Sequence, residues 1–106
     1  MKSTIAALAL ACFSQITAAG FAMFGGTDCG KWMADKSDTR KSWLLGYMSG
    51  LSSMHEKTGK NDDPLDKVNS SEQIFLWMDN YCKSNPLNNV YQGGDALFIE
   101  LMQKKR

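Results

Sequence analysis

The chain has 106 residues, 43% of them apolar and 22% charged, with a formal net charge of +1. That length holds one small domain. Twelve Lys and Arg stand against eleven Asp and Glu, which excludes the clustered basic surface that drives phosphate-backbone binding, so nucleic acid is not an expected partner.

The chain opens on what reads as an export signal over residues 1–22. Lys2 supplies a positive start, Ile5 to Phe13 form an uncharged apolar run, and small residues gather at Thr17, Ala18, Ala19, Gly20 and Ala22. The run is too short to cross a bilayer, which needs about 20 residues. Cleavage fits best after Ala22, with Gly20 at the third-last position, while Thr17-Ala18-Ala19 offers a second site. Lipid attachment at Cys12 is the rival reading. It is opposed by the apolar run continuing past the cysteine and by the very short stretch between Lys2 and Cys12.

Residues 23–106 form the expected mature domain. A domain of this size buries only about 60 to 65% of its unfolded surface, so a covalent staple adds needed stability. Cys12 leaves with the signal, and Cys29 and Cys82 then have only each other. A bridge between them encloses a loop for which chain entropy suggests on the order of 4 kcal/mol. Two free thiols would suit a reducing compartment rather than an exported protein. Without Lys2, eleven Lys and Arg balance eleven Asp and Glu. The one basic cluster, Lys104-Lys105-Arg106, suits the negative end of a helix dipole.

Helical periodicity runs through this domain and no strand pattern appears. Thr27 or Asp28 can cap a short first helix carrying Cys29, Trp32 and Met33 on one side. A second helix is predicted from Asp38 or Thr39 to about His55, with Trp43, Leu44, Tyr47, Met48, Leu51 and Met54 on its apolar face. Ser42, Gly46, Gly50 and Ser53 form a second line on that helix, and small side chains in a row predict close approach of a neighbour. Residues 56–69 read as the main loop, rich in the turn formers Gly59, Asn61, Asp62, Asp63 and Pro64.

Asn69 and Glu72 have capping-box spacing ahead of a third helix. Its Ile74, Trp77, Met78, Tyr81 and Cys82 make the cleanest amphipathic stripe in the chain, so Cys82 belongs on a buried face. Asn85-Pro86 ends that helix. A last helix starts at Leu87 or Asp95 and reaches Gln103, with Leu97, Phe98, Leu101 and Met102 inward. Gly93-Gly94 marks either a break or a close-packing point. The predicted fold is therefore all-α, a small disulfide-stapled bundle of about four helices.

The chemistry-bearing residues do not assemble into a catalytic set. His55, the one histidine, ends a helix, where the dipole favours it. Asp79, Asn80, Glu72 and Glu100 have no spacing that pairs two carboxylates. Asp62, Asp63 and Asp66 lack the Asp-x-Asp-x-Asp-Gly spacing and the closing Glu of a calcium loop. No metal, no cofactor and no catalytic residue is expected. Trp32, Trp43, Trp77, Tyr47 and Tyr81 read as core, with a partner groove as the alternative use for one or two of them.

Three stretches carry a resemblance: Trp43-Leu44-Leu45-Gly46-Tyr47-Met48-Ser49-Gly50-Leu51, Ile74-Phe75-Leu76-Trp77-Met78-Asp79-Asn80-Tyr81-Cys82 with Asn85-Pro86-Leu87, and Gly93-Gly94-Asp95-Ala96-Leu97-Phe98-Ile99-Glu100-Leu101. Together they resemble a group of small, uncharacterised exported proteins of proteobacteria. More remotely, a Cys on an early helix, a Gly-Tyr-x-x-Gly helix order and a late helix ending in Cys then Pro are similar to the periplasmic acid-stress chaperones of the HdeA type. The same layout is similar to Tai-type immunity proteins. The resemblance implies an all-helical, periplasmic or secreted binder acting on a protein partner or client, with no stable membrane insertion once the signal is gone. Chaperone and immunity roles are both open at this level.

Overall fold

The computed structural model describes residues 21–35 and 37–105, so residues 1–20 of the expected signal lie outside it. Among the described residues there are four α-helices and no strand: α1 (Cys29–Ala34), α2 (Asp38–Glu56), α3 (Ser71–Ser84) and α4 (Val90–Gln103), with a 3-10 turn (Pro64–Lys67) between α2 and α3. No described helix is long and apolar enough to cross a membrane. The Cys29–Cys82 disulfide joins α1 to α3 with a Cα–Cα distance of 4.9 Å.

Each helix starts where a side chain can satisfy its free N–H groups. Asp28 accepts from the Lys31 N–H at 2.7 Å to start α1, and Ser37 accepts from the Arg40 N–H at 3.3 Å to start α2. At α3 the cap falls one residue later than the Asn69 and Glu72 spacing suggests. Ser70 caps by accepting from the Gln73 N–H, and Gln73 Oε1 reaches back to the Asn69 N–H at 2.7 Å. The amide at position 73 thus does the work assigned to the carboxylate at 72. A second reach-back opens α4, where Gln92 Oε1 accepts from the Asn89 N–H at 2.8 Å.

The short α1 is anchored from both ends of the chain. Asp28 and Asn89 form an isolated antiparallel bridge in which the Cys29 N–H donates to the Asn88 carbonyl and the Val90 N–H to the Thr27 carbonyl, each at 2.9 Å. Arg40 Nη1 closes the other end of α1, donating to the Lys31 carbonyl at 2.6 Å and also to the Asp35 carbonyl. The loop after α2 is ordered by Asp63, which accepts from the Ser52 hydroxyl at 2.8 Å and caps the 3-10 turn through the Leu65 N–H. Lys67 then donates from Nζ to the Leu101 carbonyl of α4 at 2.6 Å.

α1 packs on α3, α2 on α4, and α3 on α4. The buried core consists of Trp32, Leu44, Met48, Ile74, Met78, Val90, Leu97, Phe98 and Leu101 with both disulfide cysteines. Trp32 is fully buried, and the other predicted core aromatics, Trp43, Tyr47, Trp77 and Tyr81, pack partly buried against that cluster. Gly93 and Gly94 are buried inside an unbroken α4, so they are a close-packing point and not a break. A Cβ on Gly93 would stand 2.6 Å from Met78 Sδ, and one on Gly94 would stand 2.9 Å from the Tyr47 ring.

Several side chains expected inside are outside. Met33, Met54 and Met102 are exposed. Ser42, Gly46, Gly50 and Ser53 face away from the bundle, and a Cβ on Gly46 or Gly50 would meet nothing within 4 Å. The physical reason is that α2 turns a single face to α4, built on Leu44 and Met48, and the close helix contact is made by the glycines of α4 instead.

Tyr47 ties α2 to α4. Its hydroxyl donates to Asp95 Oδ1 at 2.6 Å while its ring stacks on Trp43 at 5.3 Å. Burial, followed by the hydrogen bond to Asp95 and the charge of that carboxylate, holds the phenol well above the usual tyrosine range. The folded state thus binds this proton more tightly than the unfolded chain, whose phenol titrates near pH ~10. The contribution is complete below that value and is lost as pH rises beyond it. In urea melts at a series of alkaline pH values, Tyr47→Phe is expected to flatten the loss of stability above pH ~10. An alkaline limb identical to that of the parent protein would contradict this.

Candidate functional site

Cys29, Cys82, His55, Asp79, Glu100, Asp62 and Asp63, which suggested chemistry from their type, are engaged in the scaffold. Cys29 and Cys82 are bonded to one another and buried. His55 sits in the last turn of α2 with its ring edge-on to Phe98 at 5.7 Å. Asp79 accepts from the Trp32 indole N–H at 2.8 Å, across the interface of α1 and α3. Glu100 accepts from the Trp77 indole N–H at 3.2 Å, across the interface of α3 and α4. The two carboxylates therefore serve different interfaces. Asp62 lies 3.7 Å from Lys67 Nζ and Asp63 caps the 3-10 turn, which gives those acidic groups structural partners. Among the described residues, no group of three or more His, Cys, Asp or Glu is placed to hold a metal ion.

The concave surface lies elsewhere. An open groove of about 310 Å³ runs beside α3, bounded by the C-terminal half of α4 and by the 3-10 turn with the residues just after it. Its floor comes from Ile74, Leu97 and Leu101, whose side chains are buried as part of the core. Leu76 and Trp77 rise from that floor. Trp77 is steadied by stacking on Tyr81 at 5.5 Å and by its bond to Glu100. Leu76 is 62% exposed. Gln73, Asn80, Glu100 and Lys104 add polar groups along the groove. An apolar floor with a polar rim is the arrangement expected where another protein's side chains are received.

Helix geometry explains why the groove is there. The inner stripe of α3 (Ile74, Met78 and Cys82) points into the core. Leu76 lies two residues past Ile74, on a different face of the helix, and the described residues leave it exposed. Ile99 on α4 is likewise apolar and exposed. The periodicity of α3 reads Trp77 as core, with a groove as the alternative, and it is partly buried against the core while also lining the groove; periodicity gives Leu76 no role. The available signal was an apolar residue standing off its helix's own stripe.

A second hollow lies at the end of α2 and the loop that follows, lined by Ser52, His55, Glu56, Lys60 and Asp62 among others. Its lining residues are all of polar type and carry both signs of charge. No family model, curated protein or solved structure matches this chain.

Proposed function

We propose that this chain is an exported, periplasmic or secreted binding protein of chaperone type, which holds apolar segments of client proteins in the groove beside α3. The observation that carries the reading is Leu76, a large apolar side chain standing exposed next to Trp77 over the floor of Ile74, Leu97 and Leu101. The buried Cys29–Cys82 bond favours an oxidising compartment and so supports export. The resemblance to HdeA-type chaperones fits the same picture. Binding rather than catalysis is proposed because the titratable groups named above are used as caps and as links between helices.

Acid is the proposed trigger. Protonating the carboxylates would leave eleven Lys and Arg on residues 23–106 without balancing charge, and self-repulsion then favours an expanded chain. Expansion of a small bundle exposes its apolar faces while the disulfide limits how far the chain opens. Binding of an apolar dye and suppression of client aggregation should both rise as pH falls from about 7 toward about 2. Flat responses over that range would sink the chaperone reading. Leu76→Asp, a change at an exposed position, should leave the free energy of unfolding within about 0.5 kcal/mol of the parent's. It should nevertheless weaken client protection by about tenfold, which is about 1.4 kcal/mol of binding free energy. Equal protection by the variant would remove the groove from the mechanism.

The second reading is an immunity or inhibitor protein that blocks a secreted effector. It is favoured by the polar hollow at Ser52, His55, Glu56 and Lys60, whose shape is held by Asp63. That role requires one stoichiometric partner in a pull-down from the exported fraction, whereas a chaperone recovers many clients in small amounts.

A further inference from the structure

We infer that the groove beside α3 selects its clients by charge. It accepts segments in which a large apolar side chain has acidic or uncharged neighbours, and it rejects those in which the neighbours are Lys or Arg. This rests on the groove reading above and names the kind of client it fits. The observation that carries it is the unequal charge of the lining, in which two ammonium groups, Lys67 and Lys104, stand against one carboxylate, Glu100.

The three groups are held differently. Glu100 spends one oxygen on the Trp77 indole N–H, at 3.2 Å. Lys67 is the buried charge: its side chain is 7% exposed, and its Nζ donates to the Leu101 carbonyl at 2.6 Å. Its counter-charge, Asp62 at 3.7 Å, is mostly exposed and lies outside the groove lining. Water weakens the field of an exposed carboxylate more than that of a buried ammonium group. Lys104 follows at the C-terminal end of α4, exposed, and forms no ion pair with a carboxylate among the described residues. Lys105 stands beside it in the adjoining hollow, where the acidic residue, Asp66, is itself engaged.

The groove thus combines an apolar floor of Ile74, Leu97 and Leu101 with a cationic end at Lys67 and Lys104. A client segment that lays one apolar side chain on the floor brings the residues beside it within reach of that end. A carboxylate there is attracted, and a hydroxyl or carboxamide is neutral. An ammonium or guanidinium group meets like charge that it can escape only by lifting the apolar side chain off the floor. Repulsion of the wrong sequence supplies a specificity that apolar contact alone lacks.

The test uses the protein expressed from the full chain and purified without reductant, with three dye-labelled peptides whose own termini are capped. The peptides share a central Leu-Phe pair and differ only in its flanking residues, which are Asp, Ser or Lys. Titrations at pH 7 followed by fluorescence anisotropy should rank them Asp, Ser, Lys from tightest to weakest. The Lys peptide should bind about fivefold more weakly than the Ser peptide, the upper end of what one exposed charge contact contributes. The gap should shrink at about 0.5 M salt, where the Debye length is only a few ångströms. Lys104→Glu, a change at an exposed position, should place the Lys peptide ahead of the Asp peptide. Equal affinities for the three peptides overturn the inference, as does a ranking that Lys104→Glu leaves unchanged. If Leu76→Asp still weakens all three, the groove itself survives that failure. Peptides that do not bind the parent, or that bind Leu76→Asp equally well, overturn the groove reading and the charge selection with it.

Discussion

Reducing the Cys29–Cys82 bond, or replacing both cysteines with alanine, is expected to lower the free energy of unfolding by about 4 kcal/mol, the largest single effect anticipated for this protein. The bonded residues are 53 apart in sequence, so the cross-link removes much of the freedom of the unfolded chain. Small domains are stable by only about 5 to 15 kcal/mol, and one of this size belongs near the lower end. The local structure adds to the case. α1 has six residues, too few to persist as an isolated helix in water. It keeps its place through the bond to α3, the bridge of Asp28 to Asn89, and the burial of Trp32. Losing the bond should therefore free α1 first and bring Trp32 into water. Guanidinium melts followed by tryptophan emission, with and without reductant, check this directly. Coincident midpoints would mean that the bond contributes nothing to the fold.

The second large effect is one substitution with opposite signs at different places. Gly93→Ala places a Cβ 2.6 Å from Met78 Sδ and 2.8 Å from Tyr81 Cδ1, and Met78 is fully buried. Overpacking of this kind costs about 1 to 3 kcal/mol, which exceeds the roughly 1 kcal/mol that alanine gains over glycine within a helix. Gly94→Ala meets the Tyr47 ring at 2.9 Å and is expected to destabilise for the same reason. Gly46→Ala and Gly50→Ala meet nothing within 4 Å. They keep the helix gain and lose no packing, so each should stabilise by up to about 1 kcal/mol. Urea midpoints of the four variants form one experiment. If Gly93→Ala and Gly94→Ala stabilised as Gly46→Ala and Gly50→Ala do, the close contact of α4 with its neighbours would have to be abandoned.

The glycines also show what can be read from a chain before folding. Gly46-x-x-x-Gly50 and Gly93-Gly94 both suggest close packing, and only the second pair is used for it. The distinction depends on which face of α2 meets α4, and that depends on partners dozens of residues away. Helix positions, by contrast, were legible from nearby residues. α2 begins at Asp38, one of the two starts its spacing allows, and the stripe of Ile74, Met78 and Cys82 is the buried face of α3. The cap of α3 was legible to within one residue, because Asn69 and Ser70 are both competent caps and only the reach of Gln73 selects between them.

The candidate site was less legible. Leu76 is one apolar residue among many, and its exposure follows from α4 and the 3-10 turn standing where they do. Spacing pairs neither Asp79 nor Glu100 with another carboxylate, and each in fact accepts from an indole across a helix interface. Lys67, unremarked in the sequence, has a side chain only 7% exposed and closes the C-terminal end of α4 through the Leu101 carbonyl.

Sequence alone sufficed for the all-helical class, the approximate span of each long helix and the pairing of Cys29 with Cys82, because these follow from spacing of about 3.6 residues per turn and from the presence of just two cysteines in residues 23–106. Which glycines are packed, which methionines face water and where a groove with an apolar floor stays open were settled only in three dimensions. Those outcomes depend on how four helices share one small core. Among the described residues, Leu76, two positions off the buried stripe of α3, stays 62% exposed.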